Sequence, residues 1–80
     1  MACAYSMVMD HFQEKWQPRI GLGFQGQPAI TDEELREFRA LLERAREHDR
    51  KAGRPECELQ EKKDALSAIA RQLGVEITFP

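Results

Sequence analysis

Residues 30–55 read Ile-Thr-Asp-Glu-Glu-Leu-Arg-Glu-Phe-Arg-Ala-Leu-Leu-Glu-Arg-Ala-Arg-Glu-His-Asp-Arg-Lys-Ala-Gly-Arg-Pro. This stretch decides the fold. Thr31 followed three residues later by Glu34 is a capping box, in which each side chain satisfies the other residue's backbone N–H. Asp32, Glu33 and Glu34 place negative charge at the positive end of a helix dipole. Ile30 and Leu35 flank the cap as a hydrophobic staple does. Leu35, Phe38, Leu41, Leu42 and Ala45 recur at helical spacing. His48, Arg50 and Lys51 bring positive charge to the last turn, and Gly53 ends it. The spacing predicts a helix over about 32–52.

Downstream, Pro55 suits the first position of a second helix, where its missing N–H costs nothing. Glu56, Glu58 and Glu61 load the new N-terminal turn with acid. Leu59, Leu66, Ile69, Ala70 and Leu73 form an apolar stripe, and Gly74 is placed as a left-handed C-cap. A helix over about 55–73 follows. The short connection makes the two helices an antiparallel hairpin.

On either side of the hairpin the period changes to two. Val75, Ile77 and Phe79 alternate with Glu76 and Thr78, and Ile20, Leu22 and Phe24 alternate with Gly21 and Gly23. Alternation is a half-buried strand pattern, and a helical hairpin returns the chain to where it left. A two-stranded β element pairing about 19–24 with 75–79 is the expectation. Residues 1–18 read as an arm or short helix: Tyr5, Val8, Met9, Phe12 and Trp16 share a helical face, although "AYSMVM" also fits a strand. Such a helix must end before Pro18. The expected class is α+β, mainly α, in one small domain over 1–80.

Composition narrows the function. An 80-residue monomer buries only roughly 60% of the surface its unfolded chain exposes, so self-association or a partner is expected to supplement it. The net charge is −2, with no field of one sign to attract nucleic acid or an anionic membrane. No apolar run reaches the roughly 20 residues that span a bilayer. The first residues lack a secretory pattern. Two cysteines are too few for a disulfide framework. A cytoplasmic location with reduced thiols is the expectation.

Several motifs invite chemistry and each is weak. Gly21-Leu22-Gly23-Phe24-Gln25-Gly26 matches G-x-G-x-x-G, but a dinucleotide fingerprint needs a β-α-β unit with a helix starting inside it. Here the helix starts only at Asp32, so the glycines read as a strand and loop that allow close backbone approach. Cys3, His11, His48 and Cys57 would make a Cys2His2 set without the short chelating spacings of zinc sites. Cys57, at a helix start, sits among glutamates that oppose a thiolate, and no group orients a Cys–His pair. From residue 31 to 54 seven basic residues meet seven acidic ones. No catalytic residue, cofactor or metal is expected.

What remains is an excess of apolar side chains in the N-terminal third. Aromatic residues and methionine are enriched in protein interfaces. The expectation is a non-enzymatic protein-binding regulator, adaptor or stoichiometric inhibitor that occupies a surface of a larger protein. Its size and style suit a phage- or mobile-element-encoded regulator. Tyr5, Met9, Phe12 and Trp16 would be the anchors, with Arg50, Lys51 and Arg54 setting orientation. A homodimer or higher oligomer is expected. The alternative is a small oligomeric protein that binds nucleotide or nucleic acid through the basic residues near the helix–helix turn.

Overall fold

The computed structural model describes residues 3–54 and 59–80. Among them the chain forms α1 (Ala4–Trp16), a 3-10 turn (Gln17–Arg19), α2 (Asp32–Lys51) and α3 (Gln60–Gln72). No strand occurs among the described residues, so the architecture is all-helical rather than α+β.

α2 forms as its local chemistry dictates. The Glu34 N–H donates to the Thr31 hydroxyl at 3.1 Å, and the Thr31 N–H donates to Glu34 Oε1 at 3.2 Å. Its C-terminus closes as a Schellman motif: Arg54 N–H to Asp49 O at 2.7 Å, Gly53 N–H to Arg50 O at 3.1 Å, and Gly53 at φ +77°. α3 ends the same way. Val75 N–H reaches Ala70 O at 2.9 Å, Gly74 N–H reaches Arg71 O at 3.0 Å, and Gly74 stands at φ +84°. These bonds satisfy carbonyls that a helix end otherwise leaves orphaned. α3 is shorter than its apolar stripe suggests. Leu59 is its extended N-cap and is exposed, outside the core. The reading of Pro55, Glu56 and Glu58 as the start of this helix lies outside the described residues.

The N-terminal segment is helical. Tyr5, Met9, Phe12 and Trp16 fall on one face and are all buried. α1 stops at Trp16, and Pro18 sits in the 3-10 turn, where its missing N–H is tolerated. α1 packs on both α2 and α3, more extensively on α2, while direct α2–α3 packing is slight. The expected hairpin core is therefore built around a third helix. Phe12, Trp16 and Phe38 form its centre, with ring centroids 5.0–5.2 Å apart. Ile30, Leu42, Ala45, Leu66, Ile69 and Ala70 complete it. Lys62 Nζ ties α3 to α1 through the Ser6 hydroxyl at 2.7 Å and Asp10 Oδ2 at 2.8 Å.

The β element expected from 19–24 and 75–79 is absent for a visible reason. Residues 19–22 make a turn closed by Leu22 N–H to Arg19 O at 3.1 Å. Ile20 at φ −63°, ψ 129° and Gly21 at φ +85° mark it as type II. The segment bends where a strand must run straight. Residues 75–79 form no strand but keep their alternation, with Val75, Ile77 and Phe79 against the core and Glu76 and Thr78 exposed. Helix side chains replace the ladder. Arg39 donates to the Thr78 carbonyl at 3.1 Å and to its hydroxyl, and Arg46 donates to the Pro80 carbonyl. Phe79 meets the edge of Phe38 at 5.8 Å. The pattern read the buried face correctly and the pairing wrongly.

Candidate functional site

The residues expected to anchor a partner are the centre of the molecule. Tyr5, Phe12 and Trp16 are fully buried and Met9 nearly so. A partner reaches them only if α1 leaves the core. In this structure they are the chain's own packing. The cationic set lies elsewhere. Arg50 and Lys51 are exposed, and both face Glu47: Arg50 at 2.5 and 3.1 Å, Lys51 at 3.8 Å. The hydrogen bond from Arg50 holds the Glu47 carboxyl below its ordinary range. Arg54 is half-buried beyond the end of α2. α1 runs antiparallel to α2, so Tyr5 lies by the C-terminal end of α2 while Trp16 lies at the other end.

Two carboxylates hold α1 in this place. Asp49 is buried in the last turn of α2. Its Oδ1 accepts the Ala4 N–H at 2.9 Å and its Oδ2 accepts the Tyr5 N–H at 3.0 Å. α1's own N-cap residue, Cys3, makes no side-chain cap, so Asp49 caps α1 from another helix. Burial pushes the Asp49 carboxyl up. The donors Tyr5 and Ala4, with the His48 ring 3.4 Å away, outweigh it and leave the carboxyl below its usual range. Nothing in the sequence pattern marks this residue except an acid in a basic last turn, where the helix dipole disfavours it.

At the other end of α2, Glu34 does more than close the capping box. Arg19 donates to both its oxygens, each at 2.9 Å, and Lys15 stands 3.5 Å away. The hydrogen bonding from Arg19, reinforced by Thr31 and Lys15, outweighs burial and holds the Glu34 carboxyl at about 2. The same Arg19 Nη1 donates to the Ala29 carbonyl at 2.7 Å. Arg19 thus closes the neck of the loop over 20–31.

That loop carries the glycine motif. It has the length and closed neck of an Ω-loop. Gly21 serves the type II turn. A second turn, closed by Gln27 N–H to Phe24 O at 2.9 Å, places both Gln25 (φ +47°) and Gly26 (φ +86°) in the left-handed region. A Cβ added at any of the three glycines meets nothing within 4 Å, so close backbone approach is not their purpose. α2 begins only at Asp32, so the third glycine points no helix N-terminus at a phosphate. Two glycines answer turn geometry; nothing in the structure explains Gly23. The loop is also free of charge from Ile20 to Thr31, in a chain where charged residues make up 32%. Ile30 pins its far end in the core, while Leu22 is 61% exposed at its near side, with Gln25 and Gln27 also exposed.

The Cys2His2 set does not assemble as read. Cys3 is disulfide-bonded, which removes its thiolate as a ligand and corrects the expectation of reduced thiols. His11 is exposed on α1 and stands edge-on to Phe12. Cys57, read both as a ligand and as a nucleophile, lies outside the described residues. Among the described residues no three His, Cys, Asp or Glu side chains gather as a metal site, and no helix is long and apolar enough to cross a membrane. No protein-family model, curated protein or solved structure matches the chain.

Proposed function

We propose that the chain is a small non-enzymatic protein-binding regulator that occupies a surface of a larger protein, and that it does so with the loop over 20–31. The observation that carries this is the combination in that loop of a fixed neck, an uncharged surface and an exposed Leu22. A loop held at its base loses little conformational entropy on binding, which is the general route to affinity for a small contact. An uncharged tip suits an apolar cleft with a few amide-accepting polar groups, which Gln25 and Gln27 can answer. The alternative through the basic residues has less support, because Arg50 and Lys51 already face Glu47. Self-association belongs to the same proposal, since Met7 and Leu59 are further exposed apolar side chains.

Cytoplasmic placement is also part of the proposal. There the Cys3 disulfide meets a reducing thiol pool, and the oxidation state of the chain recovered from its host tests that placement. The functional test is native mass spectrometry of the tagged chain recovered from host extract, beside Leu22→Glu. The parent is expected to retain a larger partner that Leu22→Glu loses while keeping its helical signal. Equal capture by both proteins would remove the loop as the binding element.

A further inference from the structure

The start of α1 is fixed at adjacent points by two different chemistries. Cys3, its half-buried N-cap residue, is disulfide-bonded and packs against the core. The next two backbone N–H groups, of Ala4 and Tyr5, are held by the Asp49 carboxylate. What they hold matters to the whole molecule. α1 supplies Trp16, Tyr5, Phe12 and Met9, half of the eight largest fully buried side chains. It is also the helix on which both α2 and α3 pack. The core therefore depends on the docking of one helix whose N-cap residue carries a bond that electrons can open.

We infer that thiol–disulfide exchange at Cys3 controls the docking of α1. In the oxidised chain the disulfide and Asp49 act together on consecutive residues. A small dithiol reduces it in two exchange steps. Its thiolate attacks the protein disulfide, the S–S bond breaks and a mixed disulfide forms. Its second thiol then displaces the protein sulfur and closes the reagent's own cyclic disulfide. Two electrons pass to the protein, and two protons end on its sulfurs. The helix start then keeps its Asp49 bonds but loses its covalent attachment, and α1 opens more often, exposing Tyr5 and Met9 first. This inference does not rest on the loop reading.

The test uses the full chain, isolated without reductant and then treated with dithiothreitol. Thiol titration is expected to go from none to two per chain, the number of cysteines in the sequence. Amide exchange in the Tyr5–Lys15 stretch should rise roughly 30- to 1000-fold, the range expected for losing a typical disulfide constraint. It should rise more than exchange at Leu41–Ala45 in mid-α2. Acrylamide quenching of Trp16, the single tryptophan, should increase in step. Cys3→Ser should show the same opening without reductant and no further response to dithiothreitol. If that variant does not fold, the reversible reduction and reoxidation of the parent decides alone. The inference is overturned if the isolated chain already titrates two thiols. It is equally overturned if reduction leaves α1 exchange unchanged, or raises it no more than in mid-α2.

Discussion

Asp49→Ala removes both carboxylate hydrogen bonds from a residue only 2% exposed. It leaves two N–H donors at the start of α1, one buried and one part-buried, without their acceptor. A hydrogen bond to a charged group is worth roughly 1.5–3 kcal/mol net, and an N-cap up to about 2 kcal/mol. The two bonds share one acceptor group and do not add fully, so about 3 kcal/mol is the expected loss. A chain of this size has a total stability of roughly 4–12 kcal/mol. At roughly 4–8 °C per kcal/mol for a domain of this length, the midpoint should fall by about 12–24 °C. Thermal unfolding followed by circular dichroism at pH 7 reads this directly. Asp49→Asn keeps one acceptor but aims an amide N–H at a backbone N–H, and should lose about half as much. Asp64→Ala is the control, because Asp64 is exposed and its hydrogen bond among the described residues is to the Gln60 amide at 2.9 Å. Its midpoint should stay within about 3 °C of the parent. The pH dependence follows from the depressed Asp49 carboxyl. Its stabilisation is fully present above the unfolded value of about 3.9 and is lost as pH falls through the lower folded value. Asp49→Asn should therefore show a shallower loss of stability below pH 4. A midpoint within about 3 °C of the parent for Asp49→Ala would refute the capping role altogether.

Arg19→Ala should open the neck of the loop: helical signal stays near the parent's, while limited proteolysis between residues 20 and 30 becomes faster. The same substitution should bring the Glu34 carboxyl up from about 2 toward its ordinary value, seen by NMR titration, so that the stabilisation lost as pH falls from about 4.5 toward 2 in the parent largely disappears. Trp16→Ala should cost roughly 3–5 kcal/mol and reduce the helical signal itself, because the ring is packed between Phe12 and Phe38. Trp16→Phe should cost much less in the same denaturation assay, since it keeps an aromatic ring there and removes an indole N–H that has no acceptor among the described residues.

The parts of this fold legible in the sequence are those whose causes are local. α2 announces itself through Thr31, Glu34 and Gly53 because capping boxes and left-handed C-caps act within one turn. Gly74 is readable for the same reason. The buried face of α1 is readable from the spacing of Tyr5, Met9, Phe12 and Trp16. Spacing says that a face is buried, not against what, so a docking surface and a core helix look alike. The pairing of 19–24 with 75–79 failed because alternation fixes which side chains turn inward, whereas a ladder needs a free neighbour, and Arg39 takes the Thr78 carbonyl instead. The two carboxylates that fix α1 act across 44 or 45 residues at Asp49 and 15 at Glu34, and no periodicity reports contacts of that range. The Cys3 disulfide is not legible, because two cysteines make no framework pattern and the compartment argument points to reduced thiols.

Asp49 and Glu34 also explain why so much of the apolar chain is unavailable for binding. They sit 15 residues apart on α2, roughly 22 Å along a helix axis. One takes the free N–H groups at the start of α1, and the other takes Lys15 and Arg19 at and beyond its end. A slip of α1 by one turn, about 5.4 Å, would break both ends together and would leave Asp49 a buried charge without its two backbone donors. The register of α1 is thus set by polar groups at its ends, while its apolar face supplies the stabilisation between them. That division keeps the N-terminal aromatics inside the core. It also ends at Arg19, the residue that closes the loop, so the rigidity of the core is transmitted to the uncharged loop that follows. A binding surface on this molecule is best sought where the chain is fixed in place yet not consumed by packing, and Leu22 is the large apolar side chain in that position.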